Sequence, residues 1–584
     1  MSFRWDLTDL FSNNDDFYNE FKIVEESLND IERFTKITLD EKSLLEMLDN
    51  KWCIKEKTNN ILVYGSLKYY RNIKSDECIK LKSDAEKFSN EVDLRLGFVD
   101  RKILELGRDK IDSYISKNPK LRVYELYLDN LFRRTEHIQN DEVSTIIKNN
   151  NDSINSLLES YNNMLRDMKY GEVLIGDKEI EITPSNFVKY LTSRDRETRE
   201  KVYLRVYGRL DEEKGAFAGV LDNILGFRNK NSQLEKYDSV LEKVLFEENI
   251  DIKIIDTLIK TVDNNLYLIQ KYLKMKADLL EIDEPHLYDF GVPLDNSINK
   301  TYSLDEAINI IINALEPLGE DYLKAVHFLL DGHIDAEAND DKHQSITFSW
   351  NVYSFMNFRG TYNDLKNMIH ELGHIVNYYF SKKNLPFIYE DSTIFVGETA
   401  SLVNEYLLNR YLYSNASSED EKIFYLSKEI ENYFTTVFKQ TMYTEFEKEL
   451  YSLKESRDLN AEILSEYYGK LIKRYYGDGV VYDDVAGVEW LRLGHLYRWS
   501  YYPYKYVTGL IIASVVVDSL LDKKTLSKEK YIKFLSSGSS MYSLELLKIL
   551  NVDLTNLNII ENGFNVMKDD IEKLEELLSK KNDE

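Results

Sequence analysis

The chain has 584 residues, only two cysteines and a formal net charge of −27 at neutral pH. That charge argues against the concentrated basic face that nucleic acid or an anionic membrane surface would require. Cys53 and Cys78 are too few for a disulfide framework and fit free thiols in a reducing compartment.

The opening "MSFRWDLTDLFSNNDD" meets acidic and polar residues where a secretory leader needs a basic start and an apolar run, so a cytoplasmic location is expected. Seven prolines and 23 glycines leave few breakers, and segments such as "IDTLIKTVDNNLYLIQKYLKMKADLL" repeat apolar residues at steps of three and four. A mainly α protein follows. Strand signals are expected in two places. In "EVLIGDKEIEIT", two short runs flank the hairpin chemistry of Gly176-Asp177. In "SITFSWNV", Ile346, Phe348, Trp350 and Val352 alternate with Ser345, Thr347, Ser349 and Asn351, which predicts one strand over 345–352. The turn "TPSN" can start a helix capped by Thr183 or Ser185, and a division near residue 195 gives an N-terminal helical region, 1–195, and a second region, 196–584. The apolar run Gly509–Leu521 is broken by Asp518 and falls short of the roughly 20 residues of a membrane span, so it reads as a core helix. The tail "KDDIEKLEELLSKKNDE" reads as a fraying surface helix.

"NMIHELGHIVNYYF" carries the chemistry. Thr361 and Asp364 resemble a capping box, and Lys382, Lys383, Asn384 and Pro386 supply the stop, so a helix is predicted between them. Leu365, Met368, Ile369, Leu372, Ile375, Val376 and Tyr379 give it a buried stripe. His370 and His374 lie one turn apart, so both imidazoles can share one ion, and Glu371 projects about 100° round from His370. The same pattern also occurs on ordinary helices. A catalytic zinc needs a third protein ligand, and Glu398 in "IFVGETASLVNEYLLNRYLY" is the candidate, far enough downstream for one helix to end and a second to present it. Glu405, two turns further on, is a candidate to orient a ligating histidine; Glu390 and Asp391 are weaker ligand candidates. With zinc held there, water becomes acidic enough for Glu371 to take its proton as it attacks a carbonyl and pass it to the leaving amine. The developing oxyanion needs a donor, and "GHLYRWSYYPYKYVTG" offers His495 and five tyrosines.

Together these pieces resemble the oligoendopeptidase F branch of the thimet-oligopeptidase family of zinc peptidases. The ordered set runs nearly end to end: "WDLTDLF", "FRRTEHIQNDEVSTII", "LTSRDRETREKVY", "HLYDFGVPL", "NFRGTYNDLKNMIHELGH", "GETAS" and "HLYRWSYYPYKYVTG". The resemblance implies a two-lobed helical zincin-type shell around a deep substrate channel, with a small β element beside the zinc helix and 196–584 as the catalytic region. It implies one zinc ion on His370, His374 and Glu398, Glu371 as catalytic base and acid, and substrate or transition-state contacts from His495, Tyr502 and Tyr504. Oligopeptides are the implied partners, hydrolysed at internal bonds, with no nucleic acid or membrane. The segment "DDKHQSITFSW" departs from the family by lacking the glycine of its Lys-x-x-Gly-Ala element. Two other readings stay open: a helical zinc carboxypeptidase using Arg492 or Arg498 for a terminal carboxylate, and a helical binding scaffold with a coincidental histidine pair.

Overall fold

The computed structural model describes residues 3–294, 300–344, 346–521 and 525–583. Helices dominate, as the scarcity of breakers predicts. The described strands are β1 (Gly171–Ile175), β2 (Lys178–Ile182), β3 (Ile334–Glu337), β4 (Phe348–Trp350) and β5 (Tyr353–Phe358). The chain forms two compact units, the first made of Met1–Ile138, Lys300–Leu408 and Lys523–Asn551, the second of Gln139–Asn299, Asn409–Asp522 and Val552–Glu584.

In the first unit, the helices Glu41–Arg71 and Asp76–Leu106 pack side by side, started by the capping side chains of Asp40 and Ser75. Their apolar faces join Trp5, Phe17, Tyr353 and Phe355 in one core. The sheet here has the order β3-β5-β4, with β3 parallel and β4 antiparallel to β5. Trp5 fixes it from the N-terminal segment, its Nε1 donating to the carbonyls of His333 at 3.1 Å and Ser354 at 2.9 Å. Lys342 fixes it from within: its buried ammonium donates to Asp335 Oδ1 at 2.8 Å and to the carbonyls of Glu337 and Met356 at 2.9 and 2.7 Å. A buried ammonium needs such partners, and these tie β3 to β5.

This sheet corrects the expectation of one strand over 345–352. Ser345 lies outside the described residues. Of the rest, only Phe348–Trp350 is strand; Asn351 takes a φ of 54°, and the chain turns back at Asn351-Val352 so that Trp350 faces Tyr353. Asparagine tolerates that left-handed conformation, which is why alternation in the sequence ran through the turn unbroken.

In the second unit, Arg196–Leu234 is the longest helix, capped by Asp195, where the sequence division was expected. Arg199 and Asp289 form a buried ion pair at 2.6 Å within this unit. β1 and β2 pair antiparallel about Gly176-Asp177, as predicted. The short helix after them, Phe187–Leu191, begins from Asn186 rather than from Thr183 or Ser185; the Asn186 side chain accepts instead from the Thr183 N–H at 2.8 Å. The apolar run belongs to the helix Pro503–Leu521, most of it buried against Lys439–Ser456 and Leu557–Asp583. The tail helix is more than a fraying surface element: Met567, Ile571 and Leu574 are fully buried, because helical spacing puts them on one face.

Candidate metal centre

The helix Tyr362–Asn384 starts where its caps predict. Thr361 Oγ1 accepts from the Asp364 N–H at 3.1 Å, and the Asp364 carboxylate accepts from the Thr361 N–H at 3.0 Å. Leu365, Met368, Ile369, Leu372, Ile375 and Val376 are buried, which fixes the helix's rotation and hence the direction of His370 and His374.

Gly373 sets the distance to the next helix, Ile394–Ser414. A Cβ at this position would lie 2.5 Å from Ser401 Cα and 2.9 Å from the Ala400 carbonyl oxygen, so only glycine permits the approach. Asn404 ties the helices together, donating to the Ile369 carbonyl at 3.2 Å while accepting from the Tyr322 hydroxyl at 2.8 Å. The consequence is that Glu398 and Glu405 reach the histidines.

The Nε2 atoms of His370 and His374 are 3.1 Å apart, and Glu398 Oε2 is 3.8 Å from His370 Nε2. One ligand atom from each of the three lies within 4.8 Å of the others. Bonds of about 2.0–2.2 Å to zinc put neighbouring tetrahedral ligands roughly 3.3 Å apart, so two imidazoles and a carboxylate at this spacing fit that ion. The weaker candidate Glu390 is turned elsewhere, its Oε2 accepting from the Tyr378 hydroxyl at 2.8 Å.

Charge is arranged around the pair. His370 Nδ1 lies 2.6 Å from Glu405 Oε1, and the other Glu405 oxygen lies 3.0 Å from Lys366 Nζ. Burial works against a charge on His370, but the hydrogen bond and charge of Glu405, with Glu371 and Glu398 behind them, hold its pKa up at about 9. His374 goes the other way: burial and the neighbouring His370 push it down to about 3. Burial also opposes the Glu405 charge, yet Lys366 and His370 hold it at about 2. Burial raises the pKa of both Glu371 and Glu398. Ser349 of β4 donates to Glu371 Oε2 at 2.5 Å and lies 3.1 Å from the Glu371 carbonyl oxygen.

The other expected residues lie in the second unit. His495, on the short helix Gly494–Arg498, is half-buried, and its ring is parallel to that of Tyr502, with centroids 6.1 Å apart. Burial and Arg498 lower its pKa. Tyr506 meets the His495 ring edge-on at 6.2 Å, whereas Tyr504 is fully buried in the core of this unit. Arg492 covers the Phe187 ring at 4.3 Å, and Arg498 donates to Asn162 at 2.8 Å. Sequence reasoning missed Lys366 and the Ser349 bond to Glu371. Lys366 stands four residues before His370, so helical spacing could have marked it; nothing local marks Ser349.

The model of "Peptidase family M3" matches residues 189–566, and that of "Oligopeptidase F" matches residues 102–170. Oligopeptidase PepF of Bacillus subtilis is 28% identical over 585 residues, covering 99% of this chain and 87% of its own. A crystal structure from Chlamydophila abortus has a TM-score of 0.88 at 26% identity, covering 99% of each chain. That of oligoendopeptidase-F from Enterococcus faecium has a TM-score of 0.74 at 25% identity, covering 97% of this chain and 99% of its own.

Proposed function

The chain belongs to peptidase family M3, and on that premise we propose that it is a cytoplasmic, zinc-dependent endopeptidase of short peptides. His370, His374 and Glu398 hold the ion, and Glu371 is the general base and acid. The observation that carries this reading is the convergence of those three ligand atoms beside a largely buried glutamate. Two free thiols support the reducing compartment. The names of relatives such as Oligopeptidase PepF support short peptides as substrates. The two family-model matches, 102–170 and 189–566, support a division of the sequence shortly before residue 195, although Gln139–Asn299 fold within one compact unit.

Zinc held there supplies Lewis acidity, polarising a carbonyl and making water a stronger acid. Glu371 takes the proton from the attacking water and returns it to the leaving amine; its raised pKa suits both halves of that cycle. Ser349 keeps the Glu371 carboxylate from turning away. Glu405 fixes the His370 ring through Nδ1, leaving Nε2 as the ligating lone pair. Edge strand β4 offers main-chain groups to an extended peptide: with Trp350 bonded to Tyr353 across the tight turn, those of Ser349 point away from β5. His495 and Tyr502 are the donors to the developing oxyanion, a reading supported by the family match over residues 189–566, which includes their segment.

Metal analysis tests the ligand set. Purified wild type should hold about one zinc per chain, and His374→Ala and Glu398→Ala far less, with helicity unchanged. Equal zinc in all three would remove the assignment.

A further inference from the structure

The segment Gly494–Pro503, which carries His495 and Tyr502, owes its shape to residues far from it in the sequence. Arg228, on the helix Arg196–Leu234, donates through Nη1 to the Leu496 carbonyl at 2.9 Å and through Nη2 to the Tyr497 carbonyl at 2.7 Å. The Tyr497 ring stacks on Tyr161 at 3.8 Å. The Ser500 hydroxyl is 3.0 Å from that of Tyr451, whose ring also stacks on Tyr501. At the far end, Glu447 is fully buried and its Oε1 accepts from the Tyr501 N–H at 2.9 Å.

The backbone there is strained. Tyr501 has a φ of 51°, the left-handed region that bulky residues avoid. Such a conformation persists only where the surroundings over-determine it, and it tends to mark a functional segment. Here it turns the chain between the short helix of His495 and the helix beginning at Pro503, so that the Tyr502 ring returns parallel to the His495 ring. The Glu447 carboxylate is the polar group that holds the Tyr501 N–H in that conformation. A buried carboxylate is costly, and Glu447 Oε2 has no hydrogen-bond partner among the described residues, so packing alone would favour an apolar side chain at this position.

We propose that Glu447 is a positioning residue: by anchoring the Tyr501 N–H it holds the left-handed turn that sets Tyr502 against His495 in the geometry used at the transition state. This rests on the reading of His495 and Tyr502 as oxyanion donors. It predicts that removing the acceptor lowers turnover rather than ground-state binding, and that a neutral acceptor of the same shape restores it.

The test is a double-mutant cycle on hydrolysis of an internally quenched peptide blocked at both ends, with zinc content and Tm recorded for every protein. Glu447→Leu should lower kcat about tenfold or more with KM within about twofold. Glu447→Gln, which keeps an acceptor for the Tyr501 N–H, should stay within about threefold of wild type. In a His495→Ala background, Glu447→Leu should cost less than about twofold further, because the residue it positions is gone. Should the leucine variant not fold, Glu447→Asp withdraws the acceptor by one methylene, and the same two backgrounds are compared. Wild-type kcat in Glu447→Leu, or an equal loss in both backgrounds, overturns the proposal while leaving His495 in its role. An unchanged kcat in His495→Ala would instead remove the reading of His495, and the positioning role with it.

Discussion

His370 donates from Nδ1 to Oε1 of Glu405 across 2.6 Å, and the second oxygen of that carboxylate faces the Lys366 ammonium at 3.0 Å. The bond fixes both the tautomer and the rotation of the imidazole, leaving its Nε2 beside Nε2 of His374 and Oε2 of Glu398. Loss of such a partner typically weakens metal affinity about 10- to 100-fold. Glu405→Gln should do so in a chelator competition, with the fold intact; unchanged affinity would make the contact incidental.

The same bond makes metal uptake depend on pH. Held up at about 9, His370 carries a proton at neutral pH that an incoming ion must displace, whereas His374, at about 3, has none to lose. Apparent zinc affinity should therefore rise about tenfold per pH unit up to about pH 9 and level off above it. A titration giving a flat profile between pH 6 and 9, as round figures, would contradict this.

Gly373 lies directly against the backbone of Ala400 and Ser401 on the neighbouring helix. Gly373→Ala would put its methyl carbon 2.5 Å from Ser401 Cα, against backbone that cannot swing aside. Forcing the helices apart should destabilise the protein by about 1–3 kcal/mol and lower its zinc content. A variant with wild-type Tm and full zinc would show that the contact relaxes freely.

Ser349 presents main-chain groups at the edge of β4, and Thr347 directly precedes the strand. Thr347→Pro removes the N–H just before the strand without touching the ladder to β5, so if the substrate pairs along this edge KM for peptides should rise several-fold with kcat little changed. Unchanged kinetics in the folded variant would remove this edge as a substrate partner.

Glu447 gives a stability signature independent of activity. Burial, opposed by the Tyr501 N–H and Arg228, pushes its pKa from the ordinary 4.5 to about 8. Between those values the unfolded chain has released the proton and the folded chain keeps it, so its contribution to stability is greatest below pH 4.5 and falls as pH rises to about 8. The fall is at most about 1.4 kcal/mol per pH unit. Glu447→Gln should lose that slope, gaining on wild type across the window in denaturant unfolding; parallel pH profiles would contradict it.

The helix Tyr362–Asn384 was legible in the sequence because every level agrees there: the Thr361 and Asp364 caps, the apolar stripe, and His370 and His374 one turn apart. Glu398 and Glu405 were legible from helical spacing and from the resemblance, but not Gly373, whose role depends on which helix crosses it. The sheet was half legible. β3 contains a buried Asp335 whose partner, Lys342, lies outside the strand, so no alternation marks it. The turn at Asn351 hid inside an alternating run. Among the tyrosines, counting along the sequence could not separate the half-buried Tyr502 from Tyr504, because burial there is set by the packing of Pro503–Leu521.

The central claim is tested most directly by hydrolysis of an internally quenched peptide, blocked at both ends, by wild type and Glu371→Gln, with zinc measured in both. The structure predicts about one zinc in each and a loss of activity of several orders of magnitude in the variant. Equal cleavage by the two proteins, or no zinc in either, would contradict it.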